Sequence, residues 1–189
     1  MTELETYIRS YFGVSPEDML TIHSKFSKEK IAKGKYFTRI GSSCDRLSFI
    51  TSGMMRVSAP QKDKSVTQWI STTGYFVTDI SSLVFDTPSR WNIEALTDCE
   101  LFTISKEEYN KLSYEIPAWP QLEKRFIAKC FMTLEDRVFS LISQSAEERY
   151  DQLFGLNPSL FNEVPLNNLA SMLGMSPETL SRIRAKRIS

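Results

Sequence analysis

The sequence predicts an α+β fold in which an N-terminal antiparallel β-roll, led in by helices, is followed by one long helix and a C-terminal helix-turn-helix. Three observations carry that expectation. Short runs rich in Ile, Val, Phe, Thr and Trp recur over 31–104, separated by Gly34, Gly41, Gly53, Gly74 and polar clusters. Apolar residues alternate four and three apart from Ile127 to Leu141. Two short helical patterns then close around a single glycine, Gly174.

In chain order, 4–12 and 15–26 read as helices, the second with Ser15 as cap, Pro16 at its first position and Asp18 completing a capping-box-like pattern. The clearest strands are 47–50, 54–59, 66–71, 91–95 and 101–104, with 61–65 as a polar hairpin loop. Such regular short strands fit an antiparallel sandwich or roll. Helical character returns with a Ser105/Glu108 capping box, and past Pro117 and Pro120 a long helix spans about 121–145. Its stripe of Ile127, Phe131, Leu134, Val138, Leu141 and Ser145, flanked by Lys129, Glu135, Asp136 and Arg137, has the spacing of a two-helix seam and implies a homodimer. The competing reading packs that stripe on the chain's own sheet. Residues 150–162 then form a hinge and the first helix of a small terminal domain. This gives a β-roll with its helices at 1–115, a dimerisation helix at 116–145 and the helix-turn-helix domain at 146–189.

The terminal segment carries the functional signal. Leu169 and Leu173 lie four apart on one helix face, and Leu180 and Ile183 three apart on the next, so two apolar stripes meet, with Ala170 keeping the crossing close. Gly174 takes the positive φ that ends the first helix, and Ser176 as N-cap, Pro177 at the first position and Glu178 in the first turn start the second. The outer face of the second helix presents Glu178, Thr179, Arg182 and Lys186, with Ser176 and Ser181 beside them. In a DNA-binding helix-turn-helix the second helix enters the major groove, where Arg suits guanine and Glu suits cytosine. Arg182 and Glu178 are the base-reading candidates. The plainer alternative is a surface helix pair with a solvated basic face.

Composition narrows the classes. The 189 residues are 41% hydrophobic with zero net charge, enough for a real core and without a general attraction to polyanions. Basicity is local to the end of the chain: Arg182, Arg184, Lys186 and Arg187 stand against Glu178. Cys44, Cys99 and Cys130 are odd in number and widely spaced, which argues against a disulfide framework or a zinc site and fits a reducing cytoplasm. The acidic N-terminus and the lack of a long apolar run indicate neither export nor membrane insertion.

The order of glycine-punctuated roll, long helix and terminal helix-turn-helix resembles the cyclic AMP receptor protein and FNR (Crp/Fnr) family of bacterial transcription regulators. The segments at 146–165 and 176–184 look like its Bacteroidetes-type branch. The resemblance implies a cyclic-nucleotide-binding-like (cupin-like) roll that biases a DNA-binding dimer, with RNA polymerase as a further partner, and it carries the recognition-helix Glu and Arg onto Glu178 and Arg182. A base-reading Arg often precedes that Glu; Pro177 stands in its place. Nucleotide-binding relatives use a Gly-Glu-Leu turn for the ribose and an Arg-Ser pair for the phosphate, and alignment on Gly74 puts Thr78, Asp79 and Ile80 at the first and Ser89 and Arg90, in reversed order, at the second. A one-residue shift in a strand sends a side chain to the opposite face, so these departures count against cyclic nucleotide as the effector and favour an Arg90 that is solvated on a loop. Trp69, Tyr75, Phe76 and Trp91 read as core packing before they read as an apolar pocket.

No cofactor is expected. An iron–sulfur cluster needs about four Cys ligands, and haem would have to use His23, the only histidine. A cupin-like metal enzyme would need two or three histidines with a carboxylate, and neither a GxSxG turn nor a phosphate-cradling glycine loop is present. Catalysis is not expected. The third reading is a dimeric small-molecule or nucleotide-binding module with a vestigial DNA-binding end, prompted by the stop at Ser189 where many relatives continue into a wing hairpin; the basic tail argues against it.

Overall fold

The computed structural model describes residues 3–188, with Met1, Thr2 and Ser189 outside the described residues. The elements are α1 (Glu3–Phe12), α2 (Pro16–Ser24), β1 (Ser27–Ile31), β2 (Tyr36–Thr38), β3 (Arg46–Ser52), β4 (Met55–Gln61), β5 (Lys64–Ser71), β6 (Phe76–Val77), α3 (Ile80–Phe85), β7 (Asn92–Ala95), β8 (Cys99–Ser105), α4 (Lys106–Glu115), α5 (Trp119–Ser143), α6 (Ala146–Leu156), α7 (Leu160–Glu163), α8 (Leu166–Met172) and α9 (Pro177–Ile188). They fall into two compact units, residues 1–57 with 70–130 and residues 58–69 with 131–189.

Two four-stranded sheets, ordered β1-β8-β3-β6 and β2-β7-β4-β5, make the roll. The register of β3 on β8 pairs Leu47 with Ile104 and Phe49 with Phe102. One apolar cluster gathers Leu47, Phe49, Ile104, Leu112, Trp119 and Phe126 with the N-terminal helices, and another gathers Ile31, Phe37, Ile50, Met55, Ile93 and Leu101. Gly53 is required where it stands: at φ +96° an added Cβ would lie 2.5 Å from the Asp98 carbonyl oxygen.

Several boundaries differ from the sequence reading for identifiable reasons. The 61–65 loop tightens to a turn at Lys62 and Asp63, with Lys62 at φ +53°. Ser105 does accept the Glu108 N–H, but the Glu108 carboxylate turns to Lys111 and Lys25 instead of closing a box. The long helix starts at Trp119 because Pro120 is tolerated in a first turn whose N–H groups have no helical acceptor. It stops at Ser143, so Ser145 is not part of the seam: it is the N-cap of α6, in a capping box with Glu148. The stretch at 150–162 is helical from Ala146, with α7 completing it.

In the second unit α6, α7, α8 and α9 pack through Tyr150, Leu160, Phe161, Leu169, Ala170, Leu173, Leu180 and Ile183, all buried. Tyr150, Phe154 and Phe161 form a ring cluster with centroids 4.9 to 5.8 Å apart.

Candidate functional site

The helix pair forms as its caps dictate. Leu173 is the C-cap of α8, Gly174 follows at φ +65°, and the Met175 N–H reaches back to the Ala170 carbonyl at 3.0 Å, satisfying a terminal acceptor. Ser176 then accepts the Thr179 N–H at 3.2 Å and α9 begins at Pro177. Arg149 on α6 braces this turn from outside, donating to the Leu173 and Gly174 carbonyls at 2.8 and 3.4 Å and to Gln144 O at 2.6 Å.

With Leu180 and Ile183 turned inward, Ser176, Glu178, Ser181, Arg182 and Lys186 are exposed and Thr179 half-buried. The cations of α9 differ in availability. Lys186 is held by Glu147 at 3.0 Å and Arg187 by Asp151, both on α6, whereas Arg182 and Arg184 have no ion-pair partner among the described residues. The Glu178 carboxyl is held below its ordinary value by its own backbone N–H and by the Ser176 hydroxyl, with a smaller pull from Lys64. Sequence reasoning placed Lys186 with the groove-facing cations; the acids four apart on α6, Glu147 for Lys186 and Asp151 for Arg187, were the signal of a competing pairing.

Of the residues read as an effector pocket, Asp79, Ser89 and the Arg90 main chain are brought together, while Thr78, Ile80 and the Arg90 side chain are not part of that cluster. Asp79 is fully buried, 1% exposed, and caps α3. Its carboxylate accepts from the Ser81 and Ser82 N–H groups at 3.1 and 3.3 Å, the Ser81 hydroxyl at 2.9 Å, the buried Ser89 hydroxyl at 2.9 Å and the Arg90 N–H at 2.7 Å. Burial pushes this carboxyl up, but the Arg90 amide, the Ser89 and Ser81 hydroxyls and the Ser82 amide together hold it below the usual aspartate value. Thr78 donates to the Arg46 carbonyl at 2.8 Å, while Ile80 and Arg90 are exposed. The four aromatics also divide. Phe76 packs edge-on against Phe126, Trp91 lies against the roll's inner cluster, Tyr75 is partly exposed, and Trp69 belongs to the second unit, with the Arg137 guanidinium 5.0 Å over its ring.

Along α5, Trp119, Leu122 and Phe126 are buried, and the stripe that follows is not: Ile127, Phe131, Leu134, Val138 and Leu141 are all exposed, Phe131 to 58%. Met132, Phe139 and Ile142 add to this uncovered apolar surface and were not part of the sequence reading.

Among the described residues no group of three or more His, Cys, Asp or Glu side chains gathers where a metal ion could be held, and no helix is long and apolar enough to cross a membrane. Cys44 and Cys99 are buried free thiols and Cys130 is an exposed one. The His23 ring lies 6.0 Å from that of Phe102, its Nε2 buried without a hydrogen-bond partner.

Residues 28–113 match the family model of the cyclic nucleotide-binding domain. Solved structures with a similar fold include a Crp/Fnr-family transcriptional regulator from Eubacterium rectale, 16% identical over 97% of this chain and 88% of that one with a TM-score of 0.71. The c-di-GMP-responsive global regulator CLP of Xanthomonas campestris is 17% identical over 91% of both chains, TM-score 0.65. The catabolite activator protein of Thermus thermophilus is 22% identical over 93% and 84%, TM-score 0.59. The fold is that of the Crp/Fnr regulators. The segment that matches the cyclic nucleotide-binding domain contains the Asp79 cradle, and α8 and α9 form the helix-turn-helix. No match is found among curated protein sequences.

Proposed function

We propose that the chain is a homodimeric DNA-binding transcription regulator in which each α8–α9 pair reads one half-site and the roll is a sensor that biases the dimer. The observation that carries this reading is α9 itself, whose inner face is buried while its outer face offers Arg182, with no ion-pair partner among the described residues, beside exposed Glu178 and Ser181. The uncovered α5 stripe supports the dimer, because an apolar helix face of that length calls for a partner helix. The functional division into 1–115, 116–145 and 146–189 follows, with RNA polymerase as a downstream partner, a cytoplasmic location, no catalytic role and a place in the Bacteroidetes-type branch.

The effector is read as something other than a cyclic mononucleotide. Asp79 already takes the main-chain and hydroxyl donors of the turn where a ribose or phosphate would have to bind, and releasing them strands buried polar groups. The c-di-GMP response in the name of the Xanthomonas regulator makes a cyclic dinucleotide the first ligand to try.

Selection of bound duplexes from a random pool tests partner, symmetry and specificity together. The expected result is a two-fold symmetric site whose affinity falls steeply with salt. A Phe131→Glu/Leu134→Glu double variant is expected to be monomeric by solution scattering and to bind duplex roughly a hundredfold or more weakly, since a lone protomer engages only one half-site. Duplex binding that is absent or independent of salt defeats the proposal.

A further inference from the structure

We propose that the tip of the β4–β5 hairpin is a second phosphate-contacting element of this regulator, with Lys62 and Lys64 gripping the backbone of the duplex that α9 enters. The inference rests on the DNA-binding reading and extends it to a segment that the chain order assigns to the sensor roll.

Residues 58–69 segregate with 131–189, and the ties are specific. The Thr67 N–H donates to the Ser171 hydroxyl at 2.9 Å. The Trp69 ring lies under the Arg137 guanidinium, which in turn donates to the Met172 carbonyl at 2.8 Å. Ser171 and Met172 form the last turn of α8, immediately before the Gly174 turn that aims α9. Strand β5 is thereby fixed beside the start of the recognition helix. Lys64 is three residues further toward the tip, about 10 Å along the strand at roughly 3.3 Å per residue, and it is near enough to Glu178 to act on that carboxylate.

The distribution of cations then points to the ligand. The second unit has eight Lys and Arg residues. Arg137 and Arg149 donate into main-chain carbonyls, and Lys186 and Arg187 are paired with carboxylates. The remaining four are Lys62, Lys64, Arg182 and Arg184, with no ion-pair partner among the described residues, and half of them sit on the hairpin. Both hairpin lysines are exposed. An ammonium on a flexible stem acts as a point charge toward phosphate, whereas planar Arg182 suits a base edge. The hairpin supplies grip and α9 supplies sequence discrimination.

The test measures affinity of the full-length protein for a random-sequence duplex about three helical turns long, over a series of salt concentrations. Asn tolerates the positive φ at position 62, so the variant is Lys62→Asn/Lys64→Gln, with Lys33→Gln/Lys35→Gln in the first unit as the charge-matched control. The expected result is a shallower dependence of log affinity on log salt, by about 0.9 for each phosphate no longer neutralised and for as many as four phosphates per dimer, with base preference on the selected site unchanged. The control keeps the parent slope. A hairpin variant with the parent slope, or one whose base preference changes, overturns the inference while leaving the DNA-binding reading intact. A parent protein that binds no duplex at all removes both.

Discussion

Two helix starts in this chain, those of α3 and α9, are built from similar residues and put to opposite uses. Each has an acid in or beside its first turn and serines close by. At α3 the acid is Asp79, sealed from solvent and surrounded by five donor groups, so every polar atom there is committed to the fold. At α9 the cap is Ser176, the acid Glu178 is at the surface, and Arg182 on the outer face is uncommitted. The difference separates a turn committed to the fold from a face free to bind: a buried carboxylate with its lone pairs engaged cannot exchange partners without stranding donors, whereas a solvated group swaps water for ligand.

Asp79→Asn is expected to have the largest effect, costing about 2 to 3 kcal/mol by replacing an acceptor of several donors with an amide that brings donors of its own. Because the folded carboxyl lies below its ordinary value near 3.8, its contribution is fully present above that pH and is lost as pH falls through the lower folded value. Denaturant unfolding should therefore show a constant gap between parent and variant near neutrality that closes only below about pH 4. A gap that persists in acid would mean that charge at Asp79 is not what stabilises the turn.

Arg182→Ala sharpens the same comparison from the other side. Unfolding should be unchanged, since the side chain is exposed and unpaired, while discrimination at one base pair per half-site falls by ~1 to 3 kcal/mol in competition binding. The smallest effect is expected for Glu147→Gln, which releases Lys186. The thermal midpoint should barely move, as exposed ion pairs contribute little, and duplex affinity should rise by less than about tenfold with a slightly steeper salt dependence. A fall in affinity would show that Glu147 positions Lys186 instead of withholding it.

Most of the architecture could be read from the chain because its signals are local. The caps at Ser15, Ser105 and Ser176 and the glycine at 174 mark helix ends through their own backbone chemistry, and the seam on α5 repeats often enough to be seen. Missed elements lack such signals. Strand β1 is Ser-Lys-Glu-Lys-Ile with one buried residue, β6 is two residues long, and α3 leaves Ile80, Val84 and Phe85 exposed, so no stripe announces it. The Crp/Fnr resemblance holds at the level of the fold, and the helix-turn-helix lies where Leu169, Gly174 and Leu180 placed it. Asp79 was harder to read, since alignment with a ribose-binding acid suggested a ligand contact. An Asp followed by Ser81 and Ser82 is equally an N-cap pattern, and which use prevails depends on burial that only the folded chain determines. The role of the β4–β5 hairpin was not legible at all, because Thr67 meets Ser171 across more than a hundred residues.

The hydrogen bond from Thr67 to Ser171 also closes part of an open edge. Strand β5 ends its sheet, and an outermost strand offers unsatisfied amides on which a neighbouring molecule can nucleate aggregation. Ser171 occupies the amide of Thr67 and so blocks one rung of that template. The serine hydroxyl thereby guards colloidal stability in a protein whose formal charge, at zero, supplies no mutual repulsion between copies.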